Sequence, residues 1–207
     1  MVALPKPTTD GKSYITPNEY LAWERQAETK SEYREGVIVA MAGASPEHIA
    51  ITGNIYGELY GQLKGRNCQV FGSDLRISVE TCDAYYYPDV TVVCEPPQFL
   101  NLGAATLVNP TLLVEVLSDS TEIKDRNEKW ECYQTLESLK TYVLVAQDRP
   151  RIEIYVRQTD GSWSYKEVKG LEATVKLDAI GCELRLSDVY ARIVFSVPAE
   201  SLTGQSG

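Results

Sequence analysis

The order of elements along this 207-residue sequence predicts an α/β fold, in which helices cover both faces of a mixed β-sheet. An amphipathic helix precedes three or four short β-rich apolar runs, and a second helix and a further strand follow them. The length fits one domain. We place that domain at residues 14–196, between a flexible tail at 1–13 and a disordered tail at 197–207.

An N-terminal helix and a β-hairpin open the domain. Thr16 is followed three residues later by Glu19, the spacing of a capping box, which predicts a helix that runs to about Ala27. Beyond that helix, Glu35-Gly36 separates two β-rich runs and is typical of a two-residue hairpin turn.

The second helix has the clearest periodicity, and Ser45 is its expected cap. Its apolar residues recur at every fourth position and are Ile51, Ile55, Leu59 and Leu63. Glycines recur beside that stripe, at Gly53, Gly57 and Gly61. Because glycine lowers helix propensity, we predict that these positions allow close packing against the sheet.

The strands of the sheet are predicted from short apolar runs, at residues 68–71, 75–79, 87–94, 112–117 and 141–145. A helix over residues 121–136 separates the last two of these strands. A hairpin around residues 159–161 then forms a C-terminal β-hairpin extension, and a turn of helix near Asp188 closes the domain.

Composition and charge disfavour several classes of protein. The net charge of −9 argues against non-specific binding to nucleic acid, whose phosphates need lysine and arginine. No apolar run approaches the ~20 residues that span a bilayer, and no signal peptide is present, so we predict a cytoplasmic protein without membrane contact. The five cysteines form no CxxC pair, which predicts buried free thiols and argues against a zinc site.

Two carboxylates stand in apolar runs that are typical of buried strands. Asp89 follows Pro88 at the start of one run, and Glu115 lies inside Leu-Leu-Val-Glu-Val-Leu. A carboxylate in a buried strand is unfavourable unless it is paired, hydrogen-bonded or bound to a metal. Two of them on neighbouring predicted strands indicate a divalent-metal site. The alternatives are local hydrogen bonds for Asp89 and a buried ion pair for Glu115.

The helix after Glu115 supplies a candidate cation. Asp125, Lys129 and Tyr133 are spaced by four residues and therefore share one face of that helix. From this face, Lys129 is predicted to reach back toward Glu115. The alternative is an exposed Asp125–Lys129 pair of the kind common on protein surfaces.

Glu32 and His48 are two further candidates. Alternation along the strand places Glu32 on the opposite face from Tyr33, either as an additional acid or as a solvated surface residue. His48 is the single histidine and stands at a helix start, where a structural role is more common than a catalytic one. The sequence contains no nucleophile elbow and no glycine-rich nucleotide-binding motif.

An ordered set of motifs between about residue 16 and residue 147 resembles the Uma-two family of restriction endonucleases, within the PD-(D/E)XK nuclease superfamily. The motifs are EYREGVI at 32–38, MAGASPEH at 41–48, SDLR at 73–76, YPDV at 87–90 and EVLS at 115–118, followed by Thr121, Asp125, Lys129 and Tyr133.

This resemblance implies a restriction-endonuclease-like core and cleavage of DNA that depends on Mg²⁺, with Mn²⁺ as an alternative. We also predict a homodimer, because two symmetric sites suit the cutting of two strands. Asp89 and Glu115 would be the metal ligands, and Glu32 the additional acid. The superfamily has a lysine two residues after the second carboxylate, where this chain has Leu117. Lys129, on the following helix, is the predicted substitute for that lysine.

Two other functions are compatible with the sequence. A nuclease-like fold without catalysis would serve as a binding or assembly module, which the net charge of −9 and Leu117 favour. A hydrolase that acts on a sugar through two carboxylates, without a metal, is the other alternative.

Overall fold

A computed structural model describes residues 14–100, 105–118 and 121–195. The predicted tails at 1–13 and 197–207 lie outside these ranges, so the limits of the domain stay a prediction. The α-helices of the described part are α1 (Pro17–Glu24), α2 (Pro46–Leu63), α3 (Glu122–Lys124), α4 (Trp130–Tyr133) and α5 (Leu186–Val189). A π-helical segment, Asp125–Lys129, joins α3 to α4 without a break. We call residues 122–133 the site helix.

The first strands of the described part are β1 (Ser31–Arg34), β2 (Val37–Ala40), β3 (Gln69–Gly72), β4 (Arg76–Val79), β5 (Ala84–Tyr86), β6 (Val90–Val93) and β7 (Thr106–Leu107). The later strands are β8 (Leu112–Leu117), β9 (Thr141–Ala146), β10 (Arg151–Arg157), β11 (Trp163–Lys169), β12 (Thr174–Leu177) and β13 (Cys182–Arg185). A 3₁₀ turn, Glu80–Cys82, connects β4 to β5.

The strands of the described part form two mixed sheets and one antiparallel ribbon. The five-stranded sheet has the order β2-β1-β5-β4-β7, the six-stranded sheet has the order β11-β10-β9-β8-β6-β3, and β12 pairs with β13. Each larger sheet contains one parallel pair, β4–β7 or β8–β9, among antiparallel neighbours. The predicted class, a mixed α/β fold with flanking helices, is therefore confirmed, although its strands belong to more than one sheet.

The division into two sheets occurs at Pro88. The sequence predicts one strand over residues 87–94, but the chain leaves the five-stranded sheet after Tyr86 and enters the six-stranded sheet at Val90. Proline has no N–H to donate to a ladder, so a strand cannot continue through it as a central strand. Asp89 consequently lies where the chain crosses from one sheet to the other.

The N-terminal helix and hairpin have the predicted form. The Thr16 side chain accepts a hydrogen bond from the Glu19 amide at 3.3 Å, and the Glu19 carboxylate accepts one from the Thr16 amide at 2.8 Å. Glu35 and Gly36 both have positive φ, 46° and 86°, as a tight turn between right-twisted strands requires. Tyr20 of α1 stacks on Tyr33 of β1, with 5.0 Å between ring centroids, so α1 covers this face of the hairpin.

Alternate residues of β8 face two different cores. Val114 and Val116 pack with the buried apolar stripe of α2, which is the predicted stripe Ile51, Ile55, Leu59 and Leu63. Leu113 and Leu117 point to the opposite face, where they pack with Tyr133 of the site helix. Because Glu115 alternates with the valines, it lies on the same face as the site helix.

The glycines of α2 do not approach another backbone. Gly53, Gly57 and Gly61 are exposed, and a Cβ built at any of them meets no atom within 4 Å. The prediction of close packing against the sheet was wrong, because the isoleucine and leucine stripe takes that position.

The C-terminal hairpin β10–β11 is confirmed, and it extends the six-stranded sheet through β9. Sequence reasoning missed β5, β7 and the ribbon β12–β13. These strands are two to four residues long, too short for alternation to stand out. The closing turn of helix near Asp188 is α5.

Four of the five cysteines are paired, so the prediction of free thiols was wrong for them. The disulfides are Cys68–Cys94 and Cys82–Cys132, whereas Cys182 is free and buried. Sequence separations of 26 and 50 residues carry no local signal. The cysteines therefore no longer support a cytoplasmic location, which stays a prediction. Among the described helices, none combines the length and the apolar character that crossing a membrane requires.

A thiol titration tests this pairing. The oxidised protein, unfolded in guanidinium chloride, should react with Ellman's reagent at one thiol per chain, Cys182, and at five after reduction. Reduction should also lower the unfolding free energy by about 2–4 kcal/mol, because the unfolded chain regains conformational freedom. Five reactive thiols before reduction would show that the cysteines are free.

Candidate active site at the junction of two sheets

The predicted site residues come from separate elements that meet where the two sheets adjoin. Glu32 lies on β1 of the five-stranded sheet, and Glu115 lies on β8 of the six-stranded sheet. Asp89 lies on the connection between the sheets, and the site helix contributes Lys124 and Lys129. The site is therefore assembled by tertiary structure from segments that are far apart in the sequence.

Lys129 contacts three carboxylates at once. Its Nζ lies 3.0 Å from Glu115 Oε1, 3.0 Å from Glu32 Oε1 and 3.0 Å from Asp125 Oδ1. The predicted contact between Lys129 and Glu115 is confirmed. The alternative of an exposed Asp125–Lys129 pair is wrong, because their side chains are only 2% and 6% exposed. Tyr133 donates a further hydrogen bond, of 3.0 Å, to Glu115 Oε1.

Glu32 is buried, and it binds two lysines and a backbone amide. Its Oε2 lies 2.6 Å from Lys124 Nζ, and its Oε1 accepts a hydrogen bond of 3.3 Å from the Tyr87 amide. Its side chain is 7% exposed, so the alternative of a solvated surface residue is wrong. The Tyr87 contact links Glu32 to the crossing segment that carries Asp89.

The π-helical segment explains how two lysines five residues apart reach one carboxylate. Residues five apart on a regular α-helix point to different sides, since each turn takes 3.6 residues. In a π-helix, hydrogen bonds join residues five apart, which brings such positions together. The Nζ atoms of Lys124 and Lys129 accordingly lie 5.9 and 5.8 Å from the ring centroid of Tyr86. The sequence predicts a regular helix here and gives no sign of this segment.

Asp89 is held from two sides. Its Oδ2 accepts a hydrogen bond of 2.7 Å from the amide of Val116, the residue after Glu115. Its Oδ1 lies 2.9 Å from His48 Nε2. The first contact ties Asp89 to the strand that carries Glu115, so the two predicted metal ligands are anchored next to each other.

Sequence reasoning missed Lys124, which no pattern singles out, and it favoured a structural role for the other added residue of this site, His48. It lies in the first turn of α2, where its amide donates to the capping Ser45 hydroxyl at 3.1 Å. The spacing of His48 from Ile51 and Ile55 was the available signal, because that stripe packs on the six-stranded sheet, which the chain enters just after Asp89.

Burial and the carboxylate neighbours determine which groups carry charge. Although burial lowers it, the carboxylates of Glu115, Glu32 and Asp125 raise the pKa of Lys129 well above its ordinary value. Burial raises the pKa of Glu32, but the ammonium groups of Lys129 and Lys124 outweigh this effect and lower the pKa below its ordinary value. Lys129 is therefore a cation at neutral pH, and Glu32 is an anion.

Glu115 behaves differently, because its surroundings disfavour its charge. Burial is the main cause that raises the pKa of Glu115 well above its ordinary value. The ammonium of Lys129 lowers this pKa, but the nearby carboxylates raise it further. The acids near this point are Glu32, Asp89, Glu115 and Asp125. Two lysines, Lys124 and Lys129, offset only part of the formal charge of these four acids.

The donor set suits a hard divalent cation. Asp89 and Glu115 offer carboxylate oxygens, the ligands that Mg²⁺ and Mn²⁺ prefer. Across the described residues, no three His, Cys, Asp or Glu side chains already surround one point as metal ligands. The ammonium of Lys129 lies among Glu32, Glu115 and Asp125 instead.

Comparisons with known proteins relate this fold to one family. The family model Uma2, described as "Putative restriction endonuclease", matches residues 17–187. Two proteins of Synechocystis sp. (strain ATCC 27184 / PCC 6803 / Kazusa) are similar. "Uncharacterized protein sll1609" is 36% identical over 162 residues, 78% of this chain and 92% of that protein. "Uncharacterized protein slr1290" is 33% identical over 181 residues, 87% of this chain and 94% of that protein.

A solved structure has the same fold. It is a crystal structure described as that of "a putative nuclease belonging to DUF820 from Anabaena variabilis ATCC 29413". The TM-score is 0.66 at 19% sequence identity, and the match covers 82% of this chain and 96% of the other.

Removing Lys129 should destabilise the metal-free protein. The variant Lys129→Met leaves the buried Glu115 and Asp125 without a cation and removes one of the two lysines of Glu32. Its unfolding free energy in urea at pH 7 with EDTA should therefore fall by about 3–5 kcal/mol. The pKa of Glu32 is lowered in the folded state, so the stabilisation from its ion pairs is present above its unfolded pKa and lost as the pH falls through the folded value. The difference in unfolding free energy between the wild type and Lys129→Met should therefore become smaller as the pH falls.

Lys140→Met is the matched control, because Lys140 is exposed. It should change the unfolding free energy by no more than about 0.5 kcal/mol. Equal stability of Lys129→Met and wild type at pH 7 would contradict the structural role of Lys129.

Proposed function

The chain belongs to the Uma2 family, and we propose that it is a Mg²⁺-dependent DNA endonuclease that hydrolyses phosphodiester bonds at the junction of its two sheets. The supporting observation is the uneven charge of the site. Glu32, Glu115 and Asp125 contact Lys129, Lys124 contacts Glu32, and a fourth acid, Asp89, lies near Glu115 without a lysine partner among the described residues. This arrangement is unfavourable by itself, and a divalent cation would relieve it.

In this proposal, Asp89 and Glu115 hold the metal, with Mn²⁺ as an alternative to Mg²⁺. When bound, the metal would polarise the phosphoryl oxygen of the substrate and lower the pKa of a bound water. The protein orients its two ligands in advance: the Val116 amide and His48 hold Asp89, and Lys129 and Tyr133 hold Glu115 Oε1.

Lys129 is the cation of the site in place of a lysine at position 117. Leu117 is 4% exposed and belongs to an apolar cluster, so it serves packing. The ammonium of Lys129 approaches Glu115 from the site helix and would steady negative charge that develops on the phosphoryl group. Glu32 is the additional acid, and it keeps Lys129 charged and aligned.

We further propose that the protein acts as a homodimer. Duplex DNA has two strands of opposite direction, and a two-fold symmetric pair of sites matches that symmetry. Sedimentation or light scattering of the purified protein at micromolar concentration tests this part separately from catalysis.

Conservative substitutions of the ligands test the endonuclease proposal. Asp89→Asn and Glu115→Gln should each reduce Mg²⁺-dependent DNA cleavage by at least about 100-fold, since even groups that only orient metal ligands contribute 10–100-fold. EDTA should abolish cleavage by the wild type, and added Mg²⁺ should restore it. Glu183→Gln, at an exposed carboxylate on β13, is the matched control and should retain activity. Full cleavage by both ligand variants would refute the proposal, and cleavage that resists EDTA would refute its metal dependence.

A binding or assembly module is the second candidate function. The observation that favours it is the position of Lys129, whose ammonium already contacts three of the acids. Calorimetry decides between the two: heat of Mg²⁺ or Mn²⁺ binding at neutral pH that disappears in Glu115→Gln supports the nuclease. Absence of that heat in the wild type supports the module.

A further inference from the structure

The two lysines of the site differ in what they can still bind. The Lys129 side chain is 6% exposed, and its ammonium lies among Glu32, Glu115 and Asp125. The Lys124 side chain is 24% exposed, and the carboxylate that it contacts is Glu32. Lys129 is thus enclosed, whereas Lys124 stands at the edge of the site next to solvent.

We propose that Lys124 binds a backbone phosphate of duplex DNA beside the bond that is cut. This inference rests on the proposed nuclease function and adds the group that positions the substrate. Lys124 carries a compact positive charge on a flexible stem, which suits a phosphate oxygen as a point contact. It also lies on the same helix as Lys129, so a phosphate bound there is placed next to the proposed metal ligands.

Glu32 can release Lys124 without losing its own position. Lys124 contacts Glu32 Oε2, whereas Lys129 and the Tyr87 amide hold the other oxygen, Oε1. When Lys124 binds a phosphate instead, Glu32 therefore keeps its ion pair with Lys129 and its hydrogen bond from the Tyr87 amide. The same exchange by Lys129 would leave Glu115 and Asp125 without their cation, which buried acids tolerate poorly.

The neighbouring arginine of the site helix is already committed. Arg126 binds Glu153 with both terminal nitrogens of its guanidinium, and its Nε donates to Glu122 at 2.8 Å. Glu153 is 3% exposed, so releasing Arg126 would leave this buried carboxylate with the longer ion pair to Arg151, whose Nε lies 3.5 Å from Glu153 Oε1. Between Arg126 and Lys124 on this helix, the structure favours Lys124 as the phosphate contact.

The salt dependence of DNA binding tests this inference. Binding of a fluorescent DNA duplex is measured by polarisation over a series of KCl concentrations. Ca²⁺, which takes the same oxygen ligands in looser geometry, replaces Mg²⁺. Each lysine–phosphate contact contributes about 0.9 to the slope of log K against log salt. Lys124→Gln should therefore bind more weakly and lower the magnitude of that slope by about 0.9.

Two further variants make the result decisive. Lys124→Arg keeps the charge and should keep the wild-type slope, and Lys176→Gln, which removes a lysine from the exposed side of β12, should also keep it. Thermal unfolding of each variant checks that it is folded. If the Lys124–Glu32 ion pair were purely structural, Lys124→Gln would change the stability and leave the salt slope unaltered.

The possible failures are distinguishable. If Lys124→Gln keeps the wild-type slope, the role of Lys124 is overturned and the endonuclease proposal stays intact. The same holds if the slope of Lys124→Arg is reduced as much as that of Lys124→Gln. Absence of duplex binding by the wild type at low salt overturns both this inference and DNA as the substrate.

Discussion

The ammonium of Lys129 joins the three parts of the molecule that form the site. Its carboxylate partners are Glu32 from the five-stranded sheet, Glu115 from the six-stranded sheet and Asp125 from its own helix. A buried charge is tolerated only when it is paired and hydrogen-bonded. The two sheets and the helix therefore share one electrostatic constraint, and the position of each depends on the other two.

A second constraint is covalent. Pro88 ends the path of the chain through one sheet, and the next residue enters the crossing to the other sheet. This places Asp89 within reach of both sheets: its neighbour Tyr87 donates to Glu32, and Asp89 itself accepts from Val116. A conformational restriction of one residue thus brings an acid to the place where two sheets meet.

The lysines of the site stabilise the charge of some of its acids but not of all of them. Lys129 and Lys124 stabilise the charge of Glu32, whereas the surroundings of Glu115 raise its pKa. A site built for stability alone would not keep an acid in this condition, because apolar residues of similar volume pack as well or better. The unbalanced charge is typical of a site prepared for a cation or for a charged substrate.

The sequence by itself determined the local features of this protein. The capping box, the Glu35-Gly36 turn, the stripe of α2 and the four-residue spacing of Asp125 and Lys129 depend on neighbours along the chain, so their patterns were readable. The contact between Lys129 and Glu115 was predictable for the same reason, since the helix directly follows the strand.

Tertiary structure alone decided the rest. Glu32 became a buried partner of two lysines, His48 met Asp89, and four cysteines met as two pairs, each across dozens of residues. The pattern of alternation says which side of a strand a residue faces, but it does not say what lies on that side. Which distant segment covers that face is decided by how the sheets and helices pack, and this information is spread over the whole chain.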